Sequence, residues 1–146
     1  MANDEYDKVE LPALNQLQSL GWIYVEGSAL SPEESEERKS FKDVVLEKRL
    51  SRSIKQINSW INNENLRKVV RDLTRAQFPN LIEANQSNWQ ELTQYISVFQ
   101  DLGQGNRGQT VKIIDFDNHE NNEFLCTISS KSLGSSRTSF PTLFSL

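Results

Sequence analysis

One cysteine, one histidine and one methionine in 146 residues remove several chemistries at the outset. With Cys126 alone there is no internal disulfide, and a reducing cytoplasm is the fitting compartment. Its strand-like surroundings predict a small buried hydrophobe. With His119 alone, set in a turn, zinc coordination is disfavoured. A Ser-His-Asp or Cys-His arrangement would also have to use His119, and nothing near it resembles a nucleophile elbow. No apolar run reaches the ~18 residues of a membrane span, and no charged-then-apolar leader opens the chain. The expectation is a protein neither secreted nor membrane-spanning. An overall basic field is missing too: the net charge is −4, so any contact with nucleic acid requires a local patch. There is no Gly-x-x-x-x-Gly-Lys-Ser/Thr segment and hence no phosphate-cradling P-loop. What remains is a chain of one domain's length with 36% hydrophobic and 25% charged residues, ordinary for a soluble globular protein.

The apolar residues fall mainly at helical spacing. Leu11, Leu14, Leu17 and Leu20 predict a first helix, with Pro12 in its first turn and Gly21 as a left-handed stop. "WIYV" then reads as a short strand, and the acidic stretch "EGSALSPEESEERKS" as a solvated loop. A second helix is expected from "SFKDVVLEKRLSRSIKQIN". Ser40 and Asp43 would form its capping box, and Val44, Val45, Leu46, Leu50, Ile54 and Ile57 its apolar side. "NENLRKVVRDL" gives a third helix through Leu66, Val69, Val70 and Leu73. After Pro79, "LIEAN" reads as a helical turn. "SNWQELTQYISVFQ" reads as a fourth helix, capped by Ser87 and Gln90, with Trp89, Leu92, Ile96 and Phe99 on one face. The texture then changes to a Gly-rich loop and two β-type runs, "TVKIIDFD" and "NEFLCT", around the turn "NHEN". The fold class is α+β: helices first, then the start of a mixed sheet.

Three clusters carry potential chemistry. Gly103, Gly105 and Gly108 spell Gly-x-Gly-x-x-Gly, but a helix precedes and a strand follows, the reverse of a dinucleotide-binding turn, so a flexible loop is expected. Asp115, Asp117 and Glu120, beside Asn118 and His119, are oxygen donors of the kind hard cations take. Their spacing is not that of an EF-hand, and Asp and Asn are also turn formers. Arg67, Lys68 and Arg71 share one side of the third helix, where they are candidates to meet a DNA backbone; a solvated face is the ordinary alternative.

Four stretches together, "ELPALNQLQSLGW", "SFKDVVLEKRLSRSIKQIN", "NENLRKVVRDL" and "GQTVKIIDFDNHENNEFLCT", resemble in order and spacing the N-terminal region of the R subunit of type I restriction enzymes. The resemblance covers about residues 5–127, and its most specific block is "VKIIDFDNHENNEF", with His119 where the family commonly has Pro. It implies a PD-(D/E)xK nuclease fold, here incomplete and spanning residues 1–127. The complete R subunit joins that nuclease to a DNA-translocating ATPase. It cuts DNA with ATP and a divalent metal such as Mg²⁺, together with specificity and methylation subunits. The nuclease needs clustered carboxylates to hold the metal and a Lys to help position the nucleophile. In the family these arrive after the "IDF…NEF" strands, as a Pro-Asp block and then Glu-x-Lys. Behind those strands this chain has neither. The resemblance carries over one residue of the site, Glu10, the first-helix Glu that many such nucleases place near the metal. A Glu near a helix N-terminus also serves the helix dipole.

Residues 128–146 read differently from the rest: Ser-rich, without period, ending "FPTLFSL". Codons such as ACA ATC AGT TCA AAG TC encode "TISSKS". One inserted A turns them into Thr-Asn-Gln-Phe-Lys-Val, which resembles the family's next block. In the same frame, codons compatible with "FPTLFSL" give Pro-Asp-Ile-Val-Leu-Phe, the block with the catalytic Asp. The expectation is a tail translated out of frame or disordered, and a truncated fragment without nuclease or ATPase activity. Its sheet would have open edges. The alternative is a non-catalytic module that binds DNA or the restriction-complex subunits. A small metal enzyme built on Asp115, Asp117 and Glu120 is a third reading.

Overall fold

A computed structural model of the chain describes residues 6–38, 40, 45–75, 80–128 and 143–145. A single π-helical turn, Tyr6–Glu10, leads into α1 (Leu11–Ser19). Then come β1 (Ile23–Tyr24), a 3₁₀ turn (Gly27–Leu30), α2 (Glu47–Ile57), α3 (Asn63–Thr74), α4 (Leu81–Gln94), β2 (Ile96–Asp101) and β3 (Asn106–Val111). A second 3₁₀ turn (His119–Asn121), β4 (Phe124–Cys126) and β5 (Leu143–Ser145) complete the order. The class is α+β. No helix among the described residues is long and apolar enough to cross a membrane. The chain divides into two compact units, one of residues 1–43 and 123–146, the other of residues 44–122.

The first unit holds a mixed sheet in the order β1-β4-β5. β1 runs parallel to β4, with Ile23 opposite Leu125 and Tyr24 opposite Cys126. β5 lies antiparallel on the other edge of β4, with Leu125 opposite Phe144. Gly21 takes φ +89°, the left-handed stop that its position behind α1 predicts, because only a residue without Cβ adopts it freely. Of the four leucines at helical spacing, Leu14 is buried while Leu20 is 68% exposed. Leu30, Leu125 and Cys126 are buried as well, and the Trp22 and Phe124 rings lie 5.5 Å apart. β4 is not left with an open edge on the β5 side: the terminal run, expected to lack regular structure, supplies Leu143–Ser145 to it. Residues 129–142 and 146 lie outside the described residues.

In the second unit α2 packs on α3, and α3 on β2. Ile54, Ile61, Val69 and Val111 are completely buried, with Leu50, Leu66, Val98 and Ile113 nearly so. The stripes of α2 and α3 therefore point where their spacing predicts at Leu50, Ile54, Leu66 and Val69, whereas Val45, expected on the same apolar side, is 36% exposed ahead of α2. The capping box at Ser40 and Asp43 lies outside the described residues through Asp43. α2 itself starts later, at Glu47, because Leu46 has ψ 78° and is not helical. Asn62 caps α3, its side chain accepting from Asn65 N at 2.8 Å.

Two sequence expectations are overturned here. The fourth helix is continuous from Leu81, capped by Asn80, so Ser87 is mid-helix and no cap. The helix ends at Gln94, and Ile96–Asp101 is strand β2. Tyr95, at φ +67°, breaks the helix. Ile96, Val98 and Gln100 then turn inward while Ser97, Phe99 and Asp101 turn outward, the two-residue period of a strand. Trp89 and Phe99, expected in the core, are 67% and 72% exposed. The second correction concerns "TVKIIDFD" and "NEFLCT", which do not form a hairpin with each other. β3 pairs with β2 over six residues, Ile96 opposite Val111 through Asp101 opposite Asn106, while β4 pairs with β1. Of the three glycines expected in a flexible loop, Gly103 and Gly105 form the β2–β3 turn, while Gly108 lies inside β3 opposite Phe99. Asp101 Oδ1 accepts from Gly103 N and Gly105 N, and both glycines take positive φ.

Candidate functional site

On α3, Leu66 and Val69 are buried. At 100° per residue, Arg67, Lys68 and Arg71 project from the opposite side, and all three are exposed. Arg75, just past the helix, is exposed too. The helix thus presents a cationic ridge on its outer face, with Glu64 on the same side and Asp72 one turn beyond Lys68. The three residues share one exposed side of α3, as their spacing predicts.

The Asp115 region is built for another task. Asn58 lies 2% exposed at the end of α2. Its amide donates to Lys112 O at 2.7 Å and to Ile54 O at 2.9 Å, and its oxygen accepts from Lys112 N at 2.9 Å. Three residues further on, Asn122 does the same to Asp115: Asp115 N donates to its oxygen at 2.8 Å, and its amide donates to Asp115 O at 2.9 Å. The Asp115 carboxylate then closes the turn. Oδ1 accepts from Asp117 N and Asn118 N, and Oδ2 from Asn121 Nδ2 at 2.8 Å. Lys112 Nζ sits 2.6 Å from Asp117 Oδ2 and 3.6 Å from Asp115 Oδ1. The hydrogen bond from Asn121, then that from Asn118 N, hold the Asp115 carboxyl below the usual aspartate range, with Lys112 adding to the effect against the opposing cost of burial.

Such an arrangement leaves little for a cation. Among the described residues no three of His, Cys, Asp and Glu are grouped to hold a metal. The metal-enzyme reading of Asp115, Asp117 and Glu120 is thereby corrected: Asp115 spends its oxygens on loop N–H groups. His119 is exposed in its 3₁₀ turn. Glu10 closes the π-turn ahead of α1, half-buried and making no cap hydrogen bond. It belongs to the other unit. Cys126 is buried, its Sγ 3.7 Å from Ile23 O, and burial pushes its thiol pKa up.

Residues 3–129 match the family described as type I restriction enzyme R protein N terminus. The chain belongs to that family. It is similar to the type I restriction enzyme MjaIXP endonuclease subunit of Methanocaldococcus jannaschii, 35% identical over 84% of this chain and 12% of that protein. It is also similar to the type I restriction enzyme HindI endonuclease subunit of Haemophilus influenzae, 26% identical over 80% of this chain and 11% of that protein. The chain thus spans about a ninth of the length of these relatives. No solved structure matches.

Within this R-protein N-terminal region the block "VKIIDFDNHENNEF" acquires a physical meaning. Ile113 is buried, Asp115 ties the loop, Asn121 and Asn122 clamp it, and Phe124 packs its ring at a tilt against Trp22. Sequence reasoning missed Asn58 and Gln100 entirely. Gln100, 9% exposed, donates to Trp60 O and accepts from Asn62 N and Asn65 Nδ2. An amide at an inward strand position is the available signal, since a buried amide must find partners. One Glu-x-Lys triplet does occur, Glu37-Arg38-Lys39, but it precedes β4 instead of following it, and Lys39 is outside the described residues.

Proposed function

We propose that this chain is the amino-terminal part of the DNA-cleaving R subunit of a type I restriction–modification system, and that its own contribution is to hold the DNA backbone. The reading is supported by the family membership and, above all, by the ridge of Arg67, Lys68 and Arg71 turned away from the core of its unit. An R subunit of this kind uses Mg²⁺ and ATP, works with specificity and methylation subunits in the cytoplasm, and folds its N-terminal region as a PD-(D/E)xK nuclease. Glu10 would stand near the metal of that nuclease. The described residues do not supply a set of donors for Mg²⁺, so no cleavage step is assigned to them. In this reading the chain binds DNA and does not cut it.

The test is DNA affinity as a function of salt, for the wild-type chain and for a combined Arg67→Ala, Lys68→Ala, Arg71→Ala variant. Each lost phosphate contact lowers the magnitude of the slope of log K against log salt by ~0.9. Loss of all three contacts lowers it by about 2.7. Absence of binding at low salt removes the DNA reading. Nicking or cutting of plasmid DNA by the chain in Mg²⁺ and ATP removes the non-catalytic part of it.

A further inference from the structure

In the loop between Lys112 and Asn122 the side chains of Asp115, Asn121 and Asn122 tie the backbone, and Phe116 is its exposed large apolar residue. Ile113 is 3% exposed and Asp115 7%, whereas Phe116 is 59% exposed. The backbone that carries its ring is tied on both sides. Asn122 clasps Asp115, and the Asp115 carboxylate holds Asp117 N and Asn118 N. A large apolar side chain is thus displayed on a fixed support, which reduces the ordering cost of binding. Aromatic anchors of this kind are enriched at protein–protein interfaces. The charge around the ring is negative: Asp117 and Glu120 are exposed, and Lys112 is already engaged by Asp115 and Asp117. Phosphate is repelled from such a surface, and a cationic one is attracted.

We infer that the Asp115–Asn122 loop is a docking knob, with Phe116 as its anchor, for a protein surface that is cationic around an apolar socket, carried by the specificity–methylation complex of the restriction assembly. The inference rests on the membership in such an assembly proposed above. It gives two elements of this unit different partners: the α3 ridge takes DNA and the acidic knob takes protein.

The probe is the purified specificity–methylation complex of the same system, titrated against the wild-type chain, Phe116→Ala and Glu120→Lys. Phe116→Ala is expected to weaken that binding about tenfold or more, an effect of hot-spot size. Glu120→Lys weakens it less, with the difference shrinking as salt rises. DNA affinity is unchanged in both variants, whereas the Arg67, Lys68, Arg71 variant loses DNA and keeps the complex. Equal binding of wild type and both variants overturns the proposal, as does absence of complex binding by a chain that still binds DNA. If Phe116→Ala instead weakens DNA binding, the knob meets nucleic acid and the proposal is likewise overturned. Should Phe116→Ala fail to fold, Glu120→Lys, at an exposed position, carries the same test. Failure of the DNA reading shows separately, as loss of the wild-type DNA arm.

Discussion

Asn58 and Lys112 are 54 residues apart in sequence, and the side chain of the first pairs with both backbone groups of the second. The carboxamide does for Lys112 what a neighbouring strand would do. Replacing Asn58 with Ala strands the half-buried N–H and C=O of Lys112, each costing up to roughly 1–3 kcal/mol. We expect Asn58→Ala to lower unfolding stability by about 2–5 kcal/mol in a urea titration followed by circular dichroism. A loss below about 0.5 kcal/mol, the scale of a neutral surface change, contradicts this role.

Asp115 gives the same loop a pH dependence whose sign is fixed by its hydrogen bonds. Its folded pKa lies below the ordinary aspartate value of about 4, with the Asn121 and Asn118 bonds as leading causes. The stability it contributes is therefore present above pH ~4 and is lost as pH falls through the lowered folded value. Asp115→Asn presents an amide N–H₂ to donors and is expected to be less stable than wild type at pH 7. The gap should narrow on acidification below pH 4. Urea titrations at pH 7, 4 and 3 measure it; a gap that stays constant across them assigns the loss to shape and not to charge.

Glu91 on α4 works in the opposite direction. One of its carboxylate oxygens is enclosed without a hydrogen-bond partner. Burial, then the Asp72 charge, raises its pKa. A raised carboxyl pKa favours the fold below the unfolded value and disfavours it as pH rises through the folded one. Glu91→Gln is accordingly expected to raise the melting temperature by a degree or two, about the size of a few tenths of a kcal/mol, at pH 7 and not at pH 4. A lower melting temperature at pH 7 would show that the charge is used.

The helices of the second unit were legible because Leu50, Ile54, Leu66 and Val69 satisfy helical spacing and are buried together. Replacing Ile54, completely buried, with Ala should cost about 2–5 kcal/mol. The β2 strand was misread because Trp89, Leu92, Ile96 and Phe99 also fit a helical stripe. The alternation of Ile96, Val98 and Gln100 with polar or exposed neighbours was the better guide, but Gln100 hides it by being polar and inward. The run from Val111 to Asp115 shows why a strand pattern need not make a strand. Val111, Ile113 and Asp115 are all buried with period two, yet the ladder stops at Val111 because Asn58 and Asn122 provide the partners. The cationic ridge could be read from helix geometry alone. The loss of Asp115 as a cation ligand could not, since it depends on where Asn121 and Asn122 reach.

The last prediction concerns the run behind Thr127. Its residues 143–145 lie on the edge of β4. Codons can be chosen for "TISSKS" and for "FPTLFSL" that both give family-like blocks in one and the same shifted frame, with seven residues between the two segments. Two ordered matches in one frame are hard to obtain from an unrelated tail. Resequencing the gene and about a kilobase beyond it, reading all three frames, is expected to show Asn-Gln-Phe-Lys-Val and Pro-Asp-Ile-Val-Leu-Phe in that frame, followed by Glu-x-Lys. In that outcome β5 is a strand of a foreign frame on an edge selected for another sequence. Truncating the chain after Thr127 should then leave the DNA affinity of the α3 ridge unchanged. If the shifted frame is closed or carries no such blocks, the run from Ile128 to Leu146 is native sequence, and β5 belongs to the sheet it completes.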